Sequence, residues 1–285
     1  MIIMKSNKKA LIVEGGGQRG VFSFGITDTF IKRNFDPFDL YIGVSNGVAV
    51  LCWYLIRETD NNIEKLLYAS RGNYIDYKNI LTGKDIIKFH KMYKDGEKMF
   101  SPSMEKIKNN LQNKDYIAVV TDAINANAEY FTFGNGDDWM SKMVASGTLP
   151  VLVRTPSMLD GRRKFDGGVA DPLPVQKAYE MGAKQITIIR TYEKSFRRSL
   201  KIENYIGAFF SYQYPKLRKA LLNHDKTYNR ALDFIKNPPS DCEITQLCPP
   251  QRLKTKRDSK NISLLKADYE LGKKIAEDYL NSLDN

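Results

Sequence analysis

The chain is poor in the residues that often carry chemistry or cross-links. It has two histidines, His90 and His224, and three cysteines, Cys52, Cys242 and Cys248, in 285 residues. An odd cysteine count without CxxC spacing argues against a disulfide framework or a zinc site. Cys52 sits in an apolar stretch, where a thiol serves as a small buried hydrophobe. Long apolar runs are also missing. The longest, Val48 to Ile56, is far too short to span a bilayer. The N-terminal MIIMKSNKKALIVEGGG has no apolar stretch followed by a small-residue cleavage site. These absences lead us to expect a cytoplasmic protein, with at most a peripheral contact with anionic membranes.

What is present is ordinary globular material, 42% hydrophobic and 27% charged. That composition excludes global disorder, and the length suits one large domain or one domain with an appendage. The net charge is +11. Such an excess favours an anionic partner, a membrane surface or nucleic acid, although a solvated lysine-rich face accounts for it equally well. Residues 192–285 hold 18 Lys/Arg against 12 Asp/Glu, densest in QRLKTKRDSK (251–260).

Along residues 1–191 strand and helix signals alternate. KALIVE (9–14) is a short buried-type strand ending in a glycine cluster, and Val21 to Arg33 reads as helix. LYIGV (40–44) is a second strand, closed by Ser-Asn-Gly and followed by an apolar helix from Gly47 to Arg57. Strand, helix and strand in this order form a βαβ unit, hence parallel strands. Residues 58–114 read as polar and mainly helical, with breaks near Gly72, Gly83, Gly96 and Pro102. YIAVVTDAI (116–124), EYFTF (129–133) and QITIIR (185–190) read as strands, Trp139–Ser146 and Pro172–Met181 as helices. SMLDGRRKFDGG (157–168) places Asp-Gly between strand-like flanks, a hairpin signal. The fold class is therefore α/β, a sheet with helices on both faces. From Tyr192 onward no strand pattern is convincing. Leu217, Leu221, His224, Tyr228, Leu232 and Ile235 form one helical stripe, and Leu265, Tyr269, Gly272, Ala276 and Leu280 another. We expect residues 192–285 to be a helical, basic C-terminal appendage to a catalytic domain at 1–191.

Gly43-Val44-Ser45-Asn46-Gly47 fits GxSxG at a strand-to-helix turn, where a serine Oγ is lifted clear of the sheet. A structural Gly-Ser-Asn turn is the plain alternative. Gly15-Gly16-Gly17-Gln18-Arg19-Gly20 formally satisfies GxGxxG, so a non-catalytic nucleotide-binding module must be weighed. Its second strand, however, ends in the serine turn rather than in an acidic residue. In a parallel sheet the two glycine turns lie side by side, so the amides of Gly15, Gly16 and Gly17 can form an oxyanion hole for a carbonyl over Ser45. Arg19 is equally suited to holding a phosphate or anchoring the loop. Asp166 opens Asp-Gly-Gly after the hairpin, with Gly167 and Gly168; it reads as a turn residue or, beside Ser45, as a carboxylate base. A Ser-His-Asp triad would need His90, in a polar helix, or His224, on an apolar stripe where a packed histidine is the commoner outcome.

Together GGGQRG (15–20), GVSNG (43–47), ASGTLP (145–150) and DGGVADPLP (166–174) resemble the patatin-like phospholipases, over roughly residues 8–191. The resemblance implies a three-layer α/β/α sandwich with a mostly parallel sheet. It also implies a Ser-Asp dyad on Ser45 and Asp166, an oxyanion hole on Gly15–Gly17, and Arg19 as the loop's basic residue. The implied activity is hydrolysis of lipid or other acyl esters without metal or organic cofactor, with transacylase or thioesterase chemistry on the same dyad as the alternative. No nucleic-acid partner is expected. Asn46 stands where the family more often has a small residue, and is expected to narrow the acyl site.

Overall fold

Every second residue at the start of the chain faces a different core. Leu11 and Val13 belong to one apolar cluster, Ala10 and Ile12 to another. Such two-sided burial is what a parallel strand between two helical layers requires. The computed structural model describes residues 7–59, 62–72, 74–76, 78–79, 84–134, 138–150 and 152–284.

The elements in chain order are β1 (Lys8–Val13), α1 (Gly20–Lys32), β2 (Leu40–Val44), α2 (Asn46–Ile56), α3 (Asn62–Arg71), α4 (Phe89–Phe100) and α5 (Met104–Leu111). They continue with β3 (Asp115–Asp122), β4 (Ala128–Thr132), α6 (Trp139–Gly147), β5 (Ser157–Leu159), β6 (Arg162–Asp166), α7 (Val175–Glu180) and β7 (Ala183–Ile189). The last third holds α8 (Ile202–Phe210), α9 (Pro215–Leu222), α10 (His224–Lys236), β8 (Glu243–Leu247) and α11 (Ile262–Leu283). One sheet has the order β5-β6-β3-β2-β1-β7-β8, with β4 also on β3. From β3 to β8 the neighbours are parallel; β4, β5 and β6 join antiparallel. Helices α1, α2 and α11 cover one face, α7 and α10 the other. This is the expected three-layer sandwich.

Three expectations differ from the structure. A strand exists beyond Tyr192: β8 pairs in parallel with β7 over Gln185–Ile189. Glu243-Ile-Thr-Gln-Leu has no period-two alternation, so only the open edge of β7 reveals it. The stripe through His224 belongs to two helices, because Asn223 ends α9 by donating its side-chain amide to the Lys219 carbonyl at 2.8 Å. Gly96 does not interrupt α4, and Gly83 lies outside the described residues. The final stripe is as expected, with Leu265, Tyr269, Gly272, Ala276 and Leu280 all buried in α11. A Cβ on Gly272 would lie 2.1 Å from the Phe22 carbonyl oxygen, so α11 approaches the backbone of α1 directly.

Candidate active site

Strand register brings the two motif residues together. One edge of β3 pairs with β4, so β2 and β6 must share the other. There Val44 of β2 sits opposite Val119, and Asp166 of β6 sits opposite the next residue, Val120. Ser45 follows Val44, so serine and aspartate emerge at adjacent positions along β3. On the other side β1 ends beside β2, with Val13 opposite Gly43, and delivers the Gly15–Gly17 loop to the same place. Ligands of open parallel sheets bind outside these carboxyl ends.

Ser45 has φ 54°, a left-handed value for a residue with a Cβ, and precedes α2 directly. Strain of this kind persists only where the surroundings hold it. Its N–H donates to Ser146 Oγ at 2.8 Å, and that hydroxyl donates to the Val119 carbonyl at 2.6 Å. The turn also depends on close backbone approach: a Cβ on Gly47 would stand 2.1 Å from the Val13 carbonyl oxygen, and one on Gly15 2.8 Å from the Ser45 Cβ. Gly43 packs equally tightly against the first turn of α2, and Gly167 against the Val119 carbonyl.

The amides of Gly15, Gly16 and Gly17 donate to no group among the described residues; Gly15 lies against Ser45, Gly16 against Thr191 and Gly17 against Arg257, and all three line the same cleft as Ser45. The loop is tied down around them. Gln18 N–H donates to the Arg257 carbonyl at 2.8 Å, and Asn46 Nδ2 donates to the Gly17 carbonyl at 3.1 Å. Asn46 lines the cleft beside Ser45, with its amide turned into the glycine loop, over Gly20. Arg19 is held by Tyr192, donating to its hydroxyl at 2.7 Å with the guanidinium 4.2 Å from the ring centre. Glu14, buried just before the loop, accepts from the Thr191 amide at 2.6 Å and the Tyr228 hydroxyl at 2.7 Å.

Asp166 is 5% exposed. Burial raises its pKa from 3.8 to about 6, against the lowering effects of the Ser45 side chain, the Gly168 amide and the Arg257 charge. The Gly168 N–H reaches Oδ1 at 2.7 Å, and the Asp166 N–H donates to the Thr148 carbonyl at 2.9 Å. The 145–150 motif thus supports both residues, through Ser146 and Thr148. His224 also lines the site, which its stripe position does not suggest. Its Nε2 lies 2.7 Å from the Gly168 carbonyl oxygen and must donate to it. Burial, with Arg198 next in weight, lowers its pKa to about 4, so the ring is neutral and braces the Asp-Gly-Gly turn. His90 is exposed on α4 and does not line the cleft.

The cleft over Ser45 encloses about 190 Å³. That exceeds the ~150 Å³ in which an apolar cavity takes up a benzene, so it has room for a segment of acyl chain. One wall is apolar, with Phe89, Met92, Tyr93, Leu149, Leu152 and Val153. A cavity of about 120 Å³ behind it shares Asn46, Met92 and Tyr93 and is lined further by Cys52, Trp53 and Phe100. The lining also holds three cations, Arg19, Arg198 and Arg257. Sequence reasoning missed this lining. The i, i+3, i+4 spacing of Phe89, Met92 and Tyr93 signals an inward helix face, but nothing local says that Arg198 and Arg257 fold back over the sheet. Among the described residues no group of three or more His, Cys, Asp or Glu is placed to hold a metal ion. No described helix is long and apolar enough to cross a membrane.

A mostly parallel sheet thus presents a serine turn, a glycine loop and an Asp-Gly-Gly turn at adjoining strand ends, beside a cleft with apolar and cationic lining. The chain belongs to the patatin-like phospholipase family, whose model matches residues 11–179. A second model, a domain of unknown function (DUF6363), matches residues 214–285. The Escherichia coli (strain K12) protein described as uncharacterized protein YjjU is 25% identical over 269 residues, covering 93% of this chain and 74% of that one. The crystal structure of VipD from Legionella pneumophila aligns with a TM-score of 0.49 at 14% identity, covering 97% of this chain and 67% of that chain.

Proposed function

We propose that the protein is a serine acyl hydrolase that cleaves lipid esters with a Ser45–Asp166 dyad. The observation that carries the reading is the register along β3, which sets a strained serine turn beside a buried carboxyl whose pKa lies near neutrality. Asp166 takes the proton of Ser45 Oγ as that oxygen bonds to the ester carbonyl carbon. The amides of Gly15–Gly17 receive the oxyanion; each such donor contributes ~3–4 kcal/mol in comparable sites. Collapse of the tetrahedral species breaks the ester C–O bond, and Asp166 returns the proton to the leaving alcohol. Water then attacks acyl-Ser45 by the same route, giving a free carboxylic acid and restoring Ser45. His224, neutral and donating through Nε2 to the Gly168 carbonyl, is assigned no part in this cycle.

The acyl chain lies along Phe89, Met92 and Tyr93 toward the second cavity, and an anionic head group faces Arg198 and Arg257. The test is product analysis with phospholipid, lysophospholipid and neutral acyl glycerol, with and without an added alcohol. Ser45-dependent release of free fatty acid, unchanged by chelator, is the expected result. Transfer of the acyl group to the alcohol in preference to water would make the enzyme a transacylase, and turnover by Ser45→Ala would remove the mechanism.

A further inference from the structure

Helix α8 is built inside out. Its buried residues are the two smallest, Gly207 and Ala208, while Ile202 (73% exposed), Tyr205 (54%) and Phe209 (71%) face outward. Ile206 and, after the helix, Tyr212 (75%) continue the same run. Positions 202, 205, 206 and 209 share one helix face. Five of the nine exposed large hydrophobic side chains among the described residues thus fall within eleven consecutive positions. Chains with a free choice of rotamer and a core to fill do not leave such a stripe in water, and a contiguous exposed apolar patch marks a contact surface.

Both ends of α8 are fastened to the rim of the Ser45 cleft. At its start Glu203 pairs with Arg257, a cleft-lining residue, at 3.2 Å. At its end Phe210 lies 3.8 Å under the guanidinium of Arg154, whose neighbour Val153 lines the cleft. The sequence around the stripe is mostly basic. From 194 to 219 the chain holds seven Lys/Arg and a single acidic residue, Glu203. Lys194, Lys216, Arg218 and Lys219 among them are exposed. Aliphatic and aromatic side chains on a short helix, tyrosines at its margin and cations around it match the interface of an anionic bilayer: apolar groups enter the acyl boundary, tyrosines stay at head-group level, and cations meet phosphates. A protein partner of matching shape would need acidic complementarity and would cover the mouth through which substrate enters.

We propose that α8 and the turn to Tyr212 form the surface by which this protein seats on an anionic lipid bilayer, with the cleft opening onto the membrane. The basic 251–260 segment supplies further exposed cations in Arg252, Lys254, Lys256 and Lys260, while its Arg257 lines the cleft. The inference rests on the reading of the site as a lipid hydrolase, and its test separates the two. Binding is measured by co-sedimentation with vesicles of phosphatidylcholine alone or mixed with phosphatidylglycerol, for the wild type, Ile202→Ser/Phe209→Ser, and Tyr212→Ser. Each protein is also assayed on p-nitrophenyl butyrate, a soluble ester, and on vesicle phospholipid.

Burial of one large apolar side chain is worth roughly a tenfold change in partition, so the double variant should bind mixed vesicles at least ~10-fold more weakly. Its turnover of the soluble ester should equal wild type, its hydrolysis of vesicle lipid should fall in step with binding, and added salt should release the wild type. Tyr212→Ser, beyond the helix, should show a smaller loss in the same direction and guards against misfolding of α8. Unchanged vesicle binding by both variants overturns the proposal, as does sedimentation showing that they dissociate a wild-type dimer while vesicle binding persists. Failure of the wild type on the soluble ester and on lipid strikes the hydrolase reading instead, since vesicle binding is read without turnover.

Discussion

Replacing Asp166 by asparagine should impair catalysis and stabilise the fold, and the second effect has a pH dependence set by the structure. Folding raises the Asp166 pKa from 3.8 to about 6, chiefly by burial. A carboxyl of this kind holds its proton more tightly when folded, so its ionisation works against the native state: the stability it contributes is complete below about pH 4 and is lost as pH rises through about 6. The rise is worth ~3 kcal/mol between the two protonation states. An asparagine side chain in its place would keep an acceptor for the Gly168 amide and carry no charge to desolvate. At about pH 8 the variant should therefore melt higher than wild type by up to ~3 kcal/mol, or ~6 °C at ~2 °C per kcal/mol for a chain of this size. At about pH 4 the two melting temperatures should converge, because wild-type Asp166 is then protonated. His224, whose pKa is lowered to about 4, loses stability in the opposite sense as pH falls, but it does so in both proteins and drops out of the difference. Turnover should fall by ~10² to 10⁴, as for loss of a positioned base. Calorimetry across pH, with activity expressed per folded molecule, reads both. A variant less stable than wild type at high pH, or a pH-independent gap, would refute the account of a buried, costly carboxylate.

Other outcomes follow from the same contacts. The kcat/KM of the wild type should rise with pH through a midpoint of about 6, as Asp166 loses its proton, and His224→Gln should leave that midpoint and most of the turnover in place while lowering stability. Ser146→Ala removes the acceptor for the Ser45 amide; it should cost ~1–3 kcal/mol in stability and lower kcat more than it raises KM. Truncation after Thr191 removes β8, α10 and α11 from the two faces and edge of the sheet, and the product should show no cooperative melting transition in calorimetry.

Much of this site is legible in the sequence, for a physical reason. Nucleophile turns and glycine loops are local: Gly43 and Gly47 are needed where Ser45 is strained, and both lie within two residues of it in sequence. The βαβ unit, the Asp160-Gly161 hairpin turn and the α11 stripe are equally local signals. What escapes is decided by distant packing. β8 has no pattern of its own and exists because β7 leaves an edge open. His224 reads from its spacing as a packed residue on one long helix, whereas the break at Asn223 brings it into the cleft. The bond from Asn46 to Gly17 is equally hidden, because it depends on a loop 29 positions away. The cationic lining is assembled from Arg19, Arg198 and Arg257, which share no motif.

The central claim, that Ser45 is the activated nucleophile, is tested most directly by covalent capture. Wild-type protein incubated with a fluorophosphonate should gain one adduct by intact mass, mapped to the peptide containing Ser45, and lose its esterase activity in proportion. Asp166→Asn should label far more slowly and at the same residue, His224→Gln at nearly the wild-type rate, and Ser45→Ala not at all. An adduct on another serine, or full labelling of a folded Ser45→Ala protein, would contradict the account.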